Sequence, residues 1–354
     1  MSNFAIFLHI RNVCARADGF VCALAGVVVT ATVLPCRGDF ARVVHVAGLL
    51  AIAALFFLQG ARLSRNAIVL GMTHLRLHLA IATTTFVLFP LLGLGLLAVA
   101  PNLLPQPLLL GVLFVCALPS TVQSSIALTS IAGGNVPGAV CSATVSNIAG
   151  IALAPVLFGA MSHLRGGGID FAGVWQVGLQ LLVPFAAGHL LRPWIGLWAE
   201  RNRTVLSITD RSSILLVVYS AFSAAVVRGI WRQVPPARLL ELALLMIVLL
   251  GFVLLVTRLV SRSLGLGPSD EAALVFCGSQ KSLVSGVPIA NALVSGAAVG
   301  PMLLPIMLYH PLQLIVCAWL ARRYATPGAG EKPPVVTRSL VAVALAPRAG
   351  SVGN

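Results

Sequence analysis

Ser269-Asp270-Glu271-Ala272-Ala273-Leu274-Val275-Phe276-Cys277-Gly278-Ser279-Gln280-Lys281-Ser282-Leu283-Val284-Ser285-Gly286-Val287-Pro288 opens with a helix-start signal and ends in a broken apolar run. Ser269 is a good N-cap, and Asp270 and Glu271 complement the positive end of the helix dipole. Ten residues beyond Glu271 comes Lys281, roughly 15 Å along a helix and about half of a 30 Å hydrocarbon core. Gly278, Gly286 and Pro288 are poor helix formers, and four hydroxyl or amide side chains crowd between them. Outside this stretch the other 22 of the 23 Lys and Arg residues sit between apolar runs, so Lys281 alone is a basic residue inside one. Ionisable groups at that depth are costly and functional by default; the bland reading is a lysine snorkelling to an interface, which mid-span depth opposes.

The rest of the chain gives the stretch its setting. Over 354 residues the composition is 58% hydrophobic and 9% charged, with mean hydropathy +1.00. A soluble domain carries about 25% charged residues, so an all-α membrane protein is expected. Spans are expected at 18–36, 42–61, 77–99, 106–132, 135–162, 172–192, 211–229, 238–261, 270–295 and 300–322, separated by Pro- and Gly-rich turns. The expected organisation is a cytoplasmic N-terminal segment 1–17, a first five-helix repeat 18–162, a connecting loop 163–171, a second, inverted five-helix repeat 172–323, and a disordered cytoplasmic tail 324–354. The short apolar segment Phe4 to Ile10 does not make a signal peptide.

Net charge is +14, and 21 of the basic residues are Arg. Their placement between spans points to topology and anionic headgroups rather than nucleic acid. Sixteen lie on the side that holds the N-terminus and six on the other, which puts both termini in the cytoplasm. Seven scattered cysteines show no metal or disulfide spacing and are expected as buried apolar side chains; no metal site is expected. All nine Asp and Glu residues lie in loops or at span ends, and neither His-Glu-x-x-His nor Gly-x-Ser-x-Gly occurs. No catalytic residue is therefore assigned, and an intramembrane enzyme is disfavoured. Trp175, Trp194, Trp198 and Trp231 read as interfacial anchors.

A second broken run mirrors the first. Leu118-Pro119-Ser120-Thr121-Val122-Gln123-Ser124-Ser125 places a proline and a polar cluster inside the fourth expected span. One such cluster is commonly a close-packed helix interface. Two, fourth in each five-span half on either side of Gly166-Gly167-Gly168, instead suggest inverted repeats whose discontinuous helices meet at mid-membrane. Candidate substrate- or ion-binding residues are Ser120, Thr121, Gln123, Ser124, Ser125, Asn135, Ser279, Gln280, Lys281 and Ser282. Asn147, His310 and Gln313 stand evenly between interhelical hydrogen bonds and a lining role. Thr83 to Thr85 are expected to bond back to their own helix.

Phe56-Phe57-Leu58-Gln59-Gly60-Ala61-Arg62-Leu63-Ser64-Arg65, the Leu118–Ser125 run through Gly134-Asn135-Val136, Phe276 through Asn291, and Leu320-Ala321-Arg322-Arg323-Tyr324 together resemble the bile acid:sodium symporter superfamily. The resemblance runs from about residue 10 to about 325, and is nearest to the sodium-dependent transporter branch described as solute carrier family ten member seven-like. It implies ten helices, a panel of spans one, two, six and seven, and a core in which helices four and nine unwind and cross. It also implies a secondary transporter of a small organic anion, embedded in the lipid bilayer of a bacterial inner membrane. No cofactor is implied beyond a coupling ion, sodium by resemblance or a proton through Lys281. Where the bile-acid branch has a sodium-binding glutamate this chain has Phe276, and Ala139 and Ala143 replace hydroxyl ligands. Gln280 replaces the first of two lysines usual in this branch. Lys281 is thus expected where the coupling cation sits in the bile-acid branch, holding an anionic substrate or cycling a proton. The alternative is a non-transporting regulatory membrane protein that affects ion homeostasis. Removing the charge as Lys281→Met is expected to leave folding intact or improved.

Reporter fusions at the two termini, or cysteine accessibility, test the charge count. Both termini should report as cytoplasmic; an outward-facing C-terminus would refute the 16-to-6 assignment.

Overall fold

The computed structural model describes residues 19–62, 74–163, 171–229, 234–294 and 298–325. Every element among them is helical. In chain order they are α1 (Gly19–Val33), α2 (Gly38–Arg62), α3 (Leu75–Val99, with a π turn at Thr84–Leu88), α4 (Gln106–Ala117), α5 (Gln123–Ile131), α6 (Val136–His163) and α7 (Phe171–Leu190). There follow α8 (Arg192–Arg201), α9 (Arg203–Val227), α10 (Pro236–Ser263), α11 (Pro268–Ser279), α12 (Leu283–Leu293) and α13 (Val299–Tyr324). Six of them, α2, α3, α6, α9, α10 and α13, are long and apolar enough to cross a bilayer. Within each helix the backbone N–H and C=O groups pair along their own segment, as a bilayer favours; the helix ends and breaks must find partners elsewhere.

The helices pack in two groups. α1, α2, α7, α8 and α9 lie against one another, and α3 to α6 pack with α10 to α13. The groups meet where α7 touches α6 and α12, and where α9 touches α12 and α13. Within the first group α2 and α7 approach through reciprocal glycines. A Cβ on Gly60 would lie 2.0 Å from the Phe185 carbonyl oxygen, and one on Gly188 would lie 1.9 Å from that of Phe57. Lipid tails give helices no hydrophobic reason to associate, so close backbone packing at small residues supplies the attraction. In the second group, Gly150 of α6 leaves room for the ring of Pro119, which a Cβ there would meet at 2.4 Å.

One expected loop is helical. The segment between the sixth and seventh expected spans forms α8, and α9 starts at Arg203 rather than near residue 211. Pro193 at the second position suits a helix start. Trp194, Leu197 and Trp198 share the outer face, with Trp194 76% exposed, while Gly196 and Ala199 face inward. A ten-residue segment with tryptophans on one side satisfies a membrane interface as well as a loop does, and its apolar spacing was too short to register as a span. A second difference lies at the start of α11, where Gly267 rather than Ser269 occupies the cap position and Pro268 the first helical one. The glycine triplet 166–168, segment 1–17 and all of the tail beyond Ala325 lie outside the described residues, as do Trp231 and the side chain of Trp175.

The acidic first turn of α11 ties one end of the second group together. Asp270 Oδ1 accepts from Asn135 Nδ2 at 2.7 Å, and the Asn135 N–H donates to the Ser269 carbonyl at 2.8 Å. Glu271 Oε1 accepts from the Tyr324 hydroxyl at 2.6 Å and pairs with Arg258 at 3.5 Å. Thus α6, α10 and α13 are all held to the start of α11.

Gly60→Val and Gly188→Val each drive a side chain into backbone that cannot rotate away. Each should destabilise by about 3 kcal/mol or more, seen as a lowered melting temperature of the purified protein. Gly251→Ala, with nothing within 4 Å of the new carbon, is the control and should melt like the parent.

Candidate functional site

Between α4 and α5 the chain leaves the helix at Leu118 to Val122, and between α11 and α12 at Gln280 to Ser282. Pro119 cannot donate, and Leu118, ahead of a proline, is pushed to an extended conformation at φ −68°, ψ 149°. Gln280 and Ser282 are likewise extended. The two breaks touch: the Ser282 N–H donates to the Pro119 carbonyl at 2.9 Å.

Every other freed backbone group near the breaks has to find a partner, because an unpaired one that is buried is expensive. Ser120 N–H donates to Ser146 Oγ at 3.2 Å. The Lys281 N–H donates to Gln313 Oε1 at 2.8 Å, and Gln313 Nε2 donates back to the Lys281 carbonyl at 2.9 Å. The last carbonyls of α11 accept from hydroxyls: Phe276 from Ser125 Oγ at 3.3 Å, Cys277 from Ser120 Oγ at 2.6 Å, and Ser279 from the Tyr309 hydroxyl at 2.8 Å. Ser282 caps α12, its Oγ accepting from Ser285 N–H at 3.1 Å.

The last carbonyls of α4 are served differently. Lys281 is fully buried, and its ammonium donates to Leu118 O at 2.6 Å, Thr85 O at 3.0 Å and Cys116 O at 3.4 Å. Its Nζ also lies 3.9 Å from the centre of the Phe89 ring, which is braced edge-on by Tyr309. Thr85 O is available for a local reason. In the π turn the Phe89 N–H bonds to Thr84 O, five residues back. The next residue, Pro90, has no N–H, so Thr85 O has no donor within α3. Three protons therefore meet three carbonyls at the negative end of α4, and among the described residues no carboxylate is paired with Lys281.

The residue before Lys281 belongs to a cluster of neutral oxygens. Gln280 Oε1 accepts from Thr121 Oγ1, from Ser124 Oγ at 2.6 Å and from Ser125 Oγ at 3.1 Å, and Thr121 Oγ1 is 2.6 Å from Ser124 Oγ. Gln280 is fully buried, and its Nε2 has no hydrogen-bond partner. The positive ends of α5 and α12 begin at this same place, with Gln123 exposed and Ser124 half-buried in the first turn of α5.

Of the residues singled out from sequence, Ser120, Thr121, Ser124, Ser125, Gln280, Lys281 and Ser282 thus meet at one junction. Ser279 is adjacent, but its hydroxyl bonds back to Val275 O at 2.6 Å. Asn135 is not among them. It sits at the far end of α11, about 16 Å from Gln280 by helix rise, where its amide binds Asp270 and caps α6 through Gly138 N–H at 2.8 Å. Asn147 does reach the junction: its Oδ1 accepts from Ser285 Oγ at 2.6 Å, and its Nδ2 faces Gln59 Oε1 of α2 at 3.5 Å. His310 is buried with Nδ1 2.9 Å from Gln313 Nε2, so the pair supports the peptide of Lys281. Thr84 bonds back to Ala80 O as expected, whereas the Thr85 hydroxyl has no partner. Sequence reading missed Thr85 O, Phe89, Ser146 and Tyr309; Pro90 inside an otherwise regular span was the one signal for the first two.

Comparison with known proteins places most of the chain in one family. The model of the SBF-like CPA transporter family matches residues 18–326. "Uncharacterized protein PA2026" of Pseudomonas aeruginosa is 53% identical over 310 residues, covering 87% of this chain and 93% of that one. "Putative symporter YfeH" of Escherichia coli is 48% identical over 307 residues, covering 87% and 92%. "Sodium/bile acid cotransporter 7" of Rattus norvegicus is 28% identical over 277 residues, covering 75% and 79%.

Gln313→Leu removes both partners of the Lys281 peptide at once. Two backbone groups left unpaired should cost about 2–5 kcal/mol, read as a fall in melting temperature, while Gln313→Glu, which keeps the acceptor for the Lys281 N–H, should lose less. Equal stability of Gln313→Leu and parent would show that the peptide finds other partners.

Proposed function

Since the chain belongs to the SBF-like CPA transporter family, a family of multi-pass membrane transporters, we propose that it is a secondary active transporter. Its cargo is a small organic anion, carried across a bacterial inner membrane with a cation as driving ion. The proposed architecture is ten spans in two inverted five-helix repeats, with α4–α5 and α11–α12 as the fourth and ninth spans, broken and crossing at mid-membrane. The proposed panel consists of α1, α2, α7 and α9, and the proposed core of the remaining spans. Both termini are placed in the cytoplasm on the arginine count.

The observation that carries this reading is the contact of the two breaks, Ser282 N–H to Pro119 O at 2.9 Å. It brings two half-helix N-termini and two half-helix C-termini to one point. Irregular backbone at such depth occurs where protein or a water-filled path covers it. An anion is favoured by the N-termini of α5 and α12, and by Gln123 and Ser124 at the accessible first turn of α5. Lys281 has all three protons on carbonyls, so its part in anion transport is to hold the junction's charge rather than to grip the substrate. The driving ion is sodium by family resemblance, with Thr121, Ser124, Ser125 and Gln280 as its neutral oxygen ligands. A proton carried on Lys281 is the other choice. The relatives' names, symporter and cotransporter, support transport over the regulatory alternative.

The test is uptake into proteoliposomes, screening small carboxylates, sulfates and sulfonates with either an inward sodium gradient or an inward proton gradient. The parent should accumulate at least one anion under one gradient, and Thr121→Val and Gln280→Leu should abolish the gradient dependence. Absence of uptake across the series by folded protein would favour the regulatory alternative. Lys281→Met should lose uptake, and here the geometry replaces the sequence-based expectation on folding: the methionine leaves three carbonyls without their donor, so stability should fall as well.

A further inference from the structure

We propose that the carbonyls of Thr85, Cys116 and Leu118, over the face of Phe89, form a seat for a monovalent ammonium-type cation, and that Lys281 fills it as a tethered occupant. The inference deepens the transporter reading and rests on it for its consequence: the chain carries a fixed cation at the crossing, so no free ion is required at that position. The seat itself is testable without transport.

The seat is built by elements other than the one that bears Lys281. Thr85 O is freed by the π turn of α3 together with Pro90. Cys116 O is freed where α4 stops, since the Ser120 N–H that would meet it is taken by Ser146 Oγ, and Leu118 O is freed because Leu118, ahead of Pro119, is extended. The negative end of the α4 dipole and the negative face of Phe89 add to the same potential. Three oxygens and a ring thus converge on a point with no carboxylate, and would do so whichever cation stood there. An apolar side chain would leave the oxygens unpaired, and three acceptors around one point match the three N–H donors of an ammonium. The N···O distances of 2.6–3.4 Å are those of N–H donors. Two of the three, 3.0 Å to Thr85 O and 3.4 Å to Cys116 O, exceed the roughly 2.3–2.6 Å that a small hard cation such as calcium demands, so the seat takes a primary ammonium in preference to such ions.

The experiment is chemical rescue of the full-length protein. Lys281→Ala removes three carbons and the ammonium, which together are the atoms of n-propylammonium. The variant should melt below the parent. n-Propylammonium should raise its melting temperature saturably, as a ligand of the folded state does, with little effect on the parent. n-Propanol, which fills the same space without charge, and tetramethylammonium, which has charge without N–H donors, should not. Adding Pro90→Ala supplies an N–H for Thr85 O within α3, so the double variant should bind n-propylammonium several-fold more weakly. If Lys281→Ala folds only when made with n-propylammonium present, the seat is supported directly. Rescue by n-propanol equal to that by the amine would overturn the proposal, because space alone would then matter. So would an amine effect no larger on the variant than on the parent, or a Lys281→Met protein that melts as high as the parent. These outcomes are independent of uptake: a seat without transport would count against the transporter reading alone, and transport without a rescuable seat would count against this proposal alone.

Discussion

A backbone amide inside a bilayer has no water to turn to, and that single constraint governs the centre of this molecule. A continuous helix satisfies it automatically. Two interrupted ones do not, and each interruption here frees several N–H and C=O groups among buried side chains. The chain answers from three other helices: with the side chains of Ser146 of α6 and of Tyr309 and Gln313 of α13, and with the π turn of α3, which contributes a backbone oxygen rather than a donor. The junction is consequently the point on which most of the second helix group converges. α13 in particular is fixed to it through the reciprocal bonds between Gln313 and the peptide of Lys281.

The two half-helix C-termini are finished with different chemistry. α11 ends against hydroxyls of Ser120, Ser125 and Tyr309, all neutral. α4 ends against the ammonium of Lys281. The two helix ends thus carry different charge, and the difference comes from one residue. A buried cation is normally balanced by a carboxylate, at a desolvation cost for both. Here it is balanced by peptide dipoles and an aromatic face, which need no second charge. This explains how a chain whose acids all lie at span ends or in loops can keep a lysine at its centre.

Contacts away from the junction serve stability instead. The acidic turn of α11 gathers Asn135, Tyr324 and Arg258 at one end of the second group, and α2 meets α7 through paired glycines. Gln59, next to Gly60, faces Asn147 across the boundary between the two helix groups. The polar contact between groups therefore lies beside the closest helix approach in the first group and one residue-layer from the junction in the second.

Sequence alone determined that the chain is helical and membrane-embedded, because apolar runs of this length and a 9% charged content admit little else. It also located both polar clusters and the unusual depth of Lys281, since Pro, Gly and a lone charge are legible wherever an apolar background makes them conspicuous. α8 was not legible: ten residues with mixed polarity have no periodicity that separates an interfacial helix from a loop. Nor was the role of Asn135, whose Gly-Asn-Val context resembled a binding motif while its amide in fact ties α6 to Asp270. Above all, sequence could not say what Lys281 touches. Its partners are main-chain carbonyls, and a carbonyl is present at every residue; which ones are free depends on a π turn, a helix end and two prolines brought together from α3 and α4. Only the tertiary structure decides that, because the availability of a backbone oxygen is a property of its conformation and not of the side chain that the sequence records.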